Sequence, residues 1–111
     1  MSTLSREGLR AIQASAKLYL EMRGYEIIEQ NWHQSRYKVD IIAKKAGKLY
    51  FVEVRHGLND HKTVASTLSK QLRRAAEAWV GENKWTNDYA LAVVEVDVQS
   101  LAVLNFIDNE L

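Results

Sequence analysis

Leu9, Ile12, Ala16, Tyr19 and Leu20 recur at helical spacing between about Ser5 and Arg23, while Arg10, Lys17 and Glu21 mostly fall off that stripe. The pattern predicts an amphipathic helix, with Gly24 supplying the residue that suits a helix end. Residues 25–32, 36–44 and 48–55 then read as three strands, joined into consecutive hairpins by turns at Gln34-Ser35 and Ala46-Gly47. Beyond a loop at Gly57-Leu58-Asn59-Asp60, the spacing of Val64, Leu68, Leu72, Ala75 and Trp79 predicts a second helix ending near Gly81. Tyr89 to Val96 and Leu101 to Ile107 complete the pattern as two strands around a Gln99-Ser100 turn. The expected architecture is therefore α+β (or α/β), in the order α-β-β-β-α-β-β, with a mixed five-stranded sheet flanked by helices. The second helix should carry the chain by a right-handed crossover to a parallel neighbour.

Two of these strands break the apolar rule. Val39-Asp40-Ile41-Ile42-Ala43 and Leu49-Tyr50-Phe51-Val52-Glu53-Val54-Arg55 each place a carboxylate where a buried sheet should be apolar. A carboxylate in such surroundings is costly unless a cation, hydrogen-bond donors or a metal compensates it. Side chains two apart on a strand share a face, so Glu53 projects with Arg55 and Asp40 with Lys38. If the two faces coincide, four ionisable groups meet. Two facing carboxylates repel, and a hard divalent cation such as Mg²⁺ or Mn²⁺ would relieve the repulsion by taking oxygens from both. The bland alternative is a structural cluster in which Lys38 and Arg55 neutralise the two acids.

The chain of 111 residues, 47% hydrophobic and 26% charged, is long enough for a core of its own, and residues 1–111 read as one domain without repeats or linkers. It has no cysteine, which excludes disulfides, thiolate zinc sites and thiol nucleophiles. No apolar run reaches signal-peptide or membrane-spanning length, so a soluble, cytoplasmic protein without a membrane partner is expected. The net charge of +1 conceals an asymmetry: residues 1–74 hold 14 Lys/Arg against 7 Asp/Glu, and residues 75–111 hold 1 against 7. Such a basic portion suits a polyanion, because phosphate contacts release counterions. Arg6, Arg10, Lys17, Lys70, Arg73 and Arg74 are the candidates to line a nucleic-acid groove, with Lys62 at its mouth; solubilising surface charge is the plain reading of any one of them.

The run Tyr19-Leu20-Glu21-Met22-Arg23-Gly24-Tyr25-Glu26-Ile27-Ile28-Glu29-Gln30-Asn31-Trp32, followed by Val39-Asp40-Ile41-Ile42-Ala43 and Phe51-Val52-Glu53-Val54-Arg55, resembles the YraN-like bacterial proteins. Lys70-Gln71-Leu72-Arg73-Arg74-Ala75-Ala76 is similar to that family's second helix, so the resemblance covers nearly the whole chain. It implies a restriction-endonuclease-like, or PD-(D/E)xK, core related to Holliday-junction resolvases, with a metal-dependent nuclease site. By the same resemblance Asp40 takes the place of the family's metal-binding aspartate and Glu53 that of the glutamate in its Glu-x-Lys motif.

Three departures accompany the likeness. Arg55 stands where the family has lysine, and a guanidinium stays protonated, so it holds a phosphate but makes a poor general base. Gln13, preceded by Ile12, replaces a first-helix glutamate; it lies on the apolar stripe, where it either faces the site and hydrogen-bonds Asp40 or Glu53 or is a helix-flank glutamine that snorkels to water. Lys38 replaces a second acid. The site thus sets two carboxylates against two cations, and internal ion pairing competes with a metal. Gln71 is a candidate polar neighbour from the second helix. Trp32, Trp79 and Trp85 could stack bases, although Trp79 falls at a core position and Trp85, among polar neighbours, is expected to be the exposed one. His33, His56 and His61 lack ligand spacing, and only His56 is placed near the site. Three functions follow as alternatives: a divalent-metal-dependent DNA endonuclease, a nuclease-fold DNA-binding module without hydrolysis, and a protein-interaction domain. In the last case a homodimer would form through the acidic final third.

Overall fold

A computed structural model describes residues 5–57 and 70–110, with side chains described as far as Asp108. Helix α1 (Arg6–Met22) starts where Ser5 Oγ accepts a hydrogen bond from the Gly8 N–H at 3.0 Å, and Glu7 adds a negative charge to its first turn. It ends at Arg23, and Gly24 follows at φ +91°, a conformation that side-chain-bearing residues avoid. Ile12, Ala16 and Leu20 are buried, as the stripe predicts. Leu9 is not: it is 46% exposed, because the packed cluster begins only at Ile12 and the first turns of the helix project past it.

Strands β1 (Glu26–Gln34), β2 (Tyr37–Lys45) and β3 (Lys48–Gly57) form two hairpins. The second turns at Ala46 and Gly47, with φ of 54° and 80°, the mirror-image turn whose twist suits paired strands. The first turns at Ser35-Arg36, one residue later than the sequence suggests, because Gln34 still pairs with Tyr37 and Ser35 takes the positive φ of 58°. Helix α2 is described from Lys70 to Asn83. It runs two residues beyond Gly81, since one glycine costs a helix only about 1 kcal/mol. Asn83 Nδ2 bonds the Trp79 carbonyl, and the chain turns at Lys84, φ 54°. The expected helix positions Val64 and Leu68, the loop residues Leu58, Asn59 and Asp60, and Lys62 and His61 lie outside the described residues.

Strands β4 (Tyr89–Asp97) and β5 (Val103–Glu110) complete a sheet of order β1-β2-β3-β4-β5. All neighbours are antiparallel except β3 and β4, which are parallel, as a crossover through α2 requires. β5 begins two residues later than predicted: Asp97 Oδ2 accepts from both the N–H and Oγ of Ser100, and Leu101, φ 64°, is held in that turn. The fold is α+β, with its helices on opposite faces. On the α1 face Ile12, Ala16 and Leu20 pack with Ile41, Ala43, Val52, Ala92 and Val94. On the α2 face Leu72, Ala75, Ala76 and Trp79 pack with Ile42, Leu49, Phe51 and Leu91. No helix among the described residues is long and apolar enough to cross a membrane.

Candidate functional site

The alternation along β3 decides where its polar residues go. Leu49 and Phe51 face α2 while Tyr50 and Val52 face α1, so Glu53 and Arg55 continue the α2 row. On β2 the alternation breaks, since Ile42 and Val39 both pack on the α2 side; Asp40 and Lys38 are placed toward α2 by the cavity they share with Gln71 and Leu72. The β2–β3 ladder runs from Lys45–Lys48 to Ile41–Val52 and stops there; one further step would set Asp40 opposite Glu53. Instead, the Val54 N–H donates to Asp40 Oδ2 at 2.8 Å, so a side-chain oxygen replaces the lost backbone acceptor.

Lys38, Asp40, Glu53, Val54, Gln71 and Leu72 line one cavity of about 100 Å³. At about 30 Å³ per water this has room for roughly three. Burial raises the Asp40 carboxyl above the usual aspartate range, and the like charge of Glu53 adds to the rise, while the Val54 N–H and the Lys38 cation oppose it. Glu53 Oε2 accepts from Arg55 Nε at 3.2 Å in a half-buried ion pair. Gln71 reaches across from α2, its Oε1 accepting from the Lys38 N–H at 2.6 Å, which ties the helix to β2 two residues before Asp40.

Gln13 does turn toward this end of the sheet, but its partner differs from the expected one. Its Nε2 donates to Asn31 Oδ1 at 3.0 Å rather than to Asp40 or Glu53, because the near strand, β1, presents Asn31 first. Gln13, Asn31, Trp32, His33, Lys38, Val39 and Asp40 line a second cavity of about 270 Å³, which shares Lys38 and Asp40 with the first. Sequence reasoning missed Asn31 entirely. It follows Glu29 and Gln30 in a largely polar strand, so nothing local marked it, and here it takes the positive φ of 53° that asparagine tolerates. Also missed was Glu95, which pairs in register with Arg55 and accepts from Asn105 Nδ2 at 3.0 Å.

The remaining candidates lie apart. Arg6, Arg10, Lys70, Arg73 and Arg74 are exposed and Lys17 half-exposed; the cations of α1 and those of α2 flank opposite faces of the sheet and form two sets instead of one row. His56 is exposed, and the alternation of β3 sends it to the face away from Glu53 and Arg55. Trp79 is in the core. Trp85, expected to be exposed, is half-buried against the α2-side core, and its Nε1 donates to the Asp88 carbonyl at 3.1 Å. Among the described residues no cluster of three or more His, Cys, Asp or Glu side chains forms.

A model of the uncharacterised protein family UPF0102 matches residues 13–103, a span that contains every residue lining the two cavities. Similar proteins include UPF0102 proteins of Chloroherpeton thalassium, 38% identical over 87 residues (73% of this chain and 67% of that protein), and of Vibrio parahaemolyticus, 28% identical over 101 residues (85% and 83%). A third, from Chloroflexus aurantiacus, is 37% identical over 67 residues, 60% of this chain; the match spans a little over half, 56%, of that relative's length.

Proposed function

Since the chain belongs to the uncharacterised protein family UPF0102, we propose that it is an endonuclease-like, nucleic-acid-binding protein whose Asp40 and Glu53 hold a divalent cation against a phosphodiester of DNA. The observation that carries this reading is the convergence of two carboxylates, from different strands, on one small polar cavity. Their donors suit Mg²⁺ or Mn²⁺, which take oxygen ligands, make do with one or two carboxylates and keep several waters. When bound, such an ion polarises a phosphoryl oxygen and lowers the pKa of a water.

The chain's own residues do the rest. The Val54 N–H fixes the Asp40 carboxylate at the point where the strands part. Lys38 faces the same cavity with a charge suited to a phosphate oxygen. The Arg55 guanidinium pairs with Glu53, so its work is to orient that carboxylate and attract phosphate, not to remove a proton. The Glu53–Arg55 ion pair also favours a second reading, a nuclease-fold module that binds without cutting, because the guanidinium competes with a cation for Glu53.

A cleavage assay with Mn²⁺ or Mg²⁺ on single-stranded, nicked, branched and duplex DNA separates the readings. Cleavage by wild type that is lost in both Asp40→Ala and Glu53→Ala supports the metal-dependent nuclease. Salt-dependent binding without cleavage by any of the three proteins supports the binding module. Absence of binding at low salt overturns both.

A further inference from the structure

The larger cavity beside Asp40 extends away from Glu53, which is not among its lining residues. It is open, about 270 Å³, and lies on the side where α1 meets β1. That is just below the size of pockets that hold drug-sized ligands, and it suits a single planar ring system. Its lining holds two primary amides, Gln13 and Asn31, joined by one hydrogen bond; Trp32, whose ring is half-buried with one side against the α2-side core; and His33. Lys38 and Asp40 form the wall shared with the carboxylate cavity.

The sheet builds this hollow at some expense. Gln30 pairs with Ile41 and Trp32 with Val39, and Asn31 between them is held at φ 53° with its amide oxygen occupied by Gln13. A non-glycine residue at positive φ costs free energy that the surrounding contacts must offset, and such residues concentrate at ligand sites. With one amide hydrogen of Gln13 spent on Asn31, the pair still presents the Gln13 oxygen as an acceptor and the Asn31 nitrogen as a donor. An acceptor and a donor side by side match the edge of a nucleobase, and an adjacent indole offers a stacking surface.

We propose that the Gln13–Asn31–Trp32 hollow is a subsite for one unpaired nucleobase, seated beside the phosphate that Lys38 and the carboxylates address. This rests on the nucleic-acid reading above and narrows its substrate class: the preferred strand is single-stranded, or unpaired at a junction or flap, because a base inside a duplex has its edge and faces already occupied. Lys38, common to both cavities, sets the spacing between the recognised base and the phosphodiester.

The test is fluorescence anisotropy in EDTA with a labelled single-stranded oligonucleotide, the same strand in a blunt duplex, and a matched strand carrying abasic sites. Wild type should bind the single strand at least about tenfold more tightly than the abasic strand, the discrimination expected of one well-paired, stacked base. Gln13→Ala and Asn31→Gly, the latter keeping the positive φ, should each erase most of that difference and move duplex affinity less than twofold. Far-UV circular dichroism and Tm establish that the variants fold, and the abasic comparison on wild type stands without them. Equal affinity for abasic and base-bearing strands, or variants that keep the full preference, overturns the subsite. If the subsite fails while cleavage still depends on Asp40 and Glu53, the nuclease reading survives; absence of binding to every strand overturns both.

Discussion

The two ends of the β2–β3 pair differ in residue and in behaviour. At the hairpin end, Ala43–Tyr50 and Ile42–Phe51 are paired in register, every side chain has a core on its face, and Phe51 stacks edge-on against Trp79 and Tyr89 at 5.7 and 5.6 Å. At the open end the ladder stops after Ile41–Val52, and the next position on each strand carries a carboxylate. Backbone donors must be satisfied wherever they are buried, so a ladder that ends inside the protein needs a side-chain acceptor, and Asp40 supplies it to Val54. One polar residue therefore both terminates the pairing and lines the cavity. Apolar packing is concentrated at the hairpin end and the carboxylates at the other.

The largest effect should come from the hairpin end. Phe51→Ala removes a fully buried ring that two others pack against, and a loss of about 3–5 kcal/mol is expected, a large part of the stability of a domain this size. Chemical denaturation checks it; a loss below about 1 kcal/mol would mean that the two ends do not differ as described.

At the open end the two substitutions of Asp40 should split. Asp40→Ala leaves the Val54 N–H without its acceptor and should cost about 1–3 kcal/mol, less the relief of repulsion from Glu53. Asp40→Asn keeps an acceptor and removes the charge, so without metal it should be at least as stable as wild type. Thermal melts in EDTA compare them, and equal losses in both would contradict the capping role.

The pH dependence sharpens the same contrast. Asp40 has its folded pKa raised by burial and by Glu53, so between the unfolded and folded values the native state holds more protons than the unfolded one. As pH rises from the ordinary aspartate range through the raised one, Asp40's contribution to metal-free stability therefore falls, and above that window it is flat. Asp40→Asn should lack this component of the slope. Metal affinity should rise through the same window as the proton leaves. Melting profiles against pH, with and without Mn²⁺, test both signs.

The smallest effect should be on stability in Gln13→Glu with Arg55→Lys, which restores one acid and replaces the guanidinium. The Glu53–Arg55 pair is partly exposed, 24% and 28%, and the Gln13–Asn31 hydrogen bond that Gln13→Glu removes is exposed as well, so the change should be within about 1 kcal/mol, while Mn²⁺ affinity rises severalfold. No gain in affinity would dismiss the idea that internal ion pairing weakens the site.

Most of the framework was legible in the sequence because it depends on short-range pattern. Ser5, Gly24 and the Ala46-Gly47 turn act within a few residues, and the alternation around Phe51 and Val52 assigns faces directly. Where reading failed, the cause was a side-chain turn contact or the way elements pack. Leu9 lost its core because α1 extends past the packed cluster, and Leu101 left its strand because Asp97 and Ser100 hold the turn. In the site, the two acids stood out against apolar neighbours. The Val54 N–H on Asp40 and the bond between Gln13 and Asn31, 18 residues apart, arise only when strands part and a helix crosses them, and no local spacing encodes that.

The central claim is that Asp40 and Glu53 form one cation site. Electron paramagnetic resonance titration of free Mn²⁺ against wild type, Asp40→Asn and Glu53→Gln tests it most directly. One ion bound per chain in wild type, and none in either folded variant over the same range, is the predicted result. Binding that survives in either variant, or none in wild type at millimolar Mn²⁺, would contradict it.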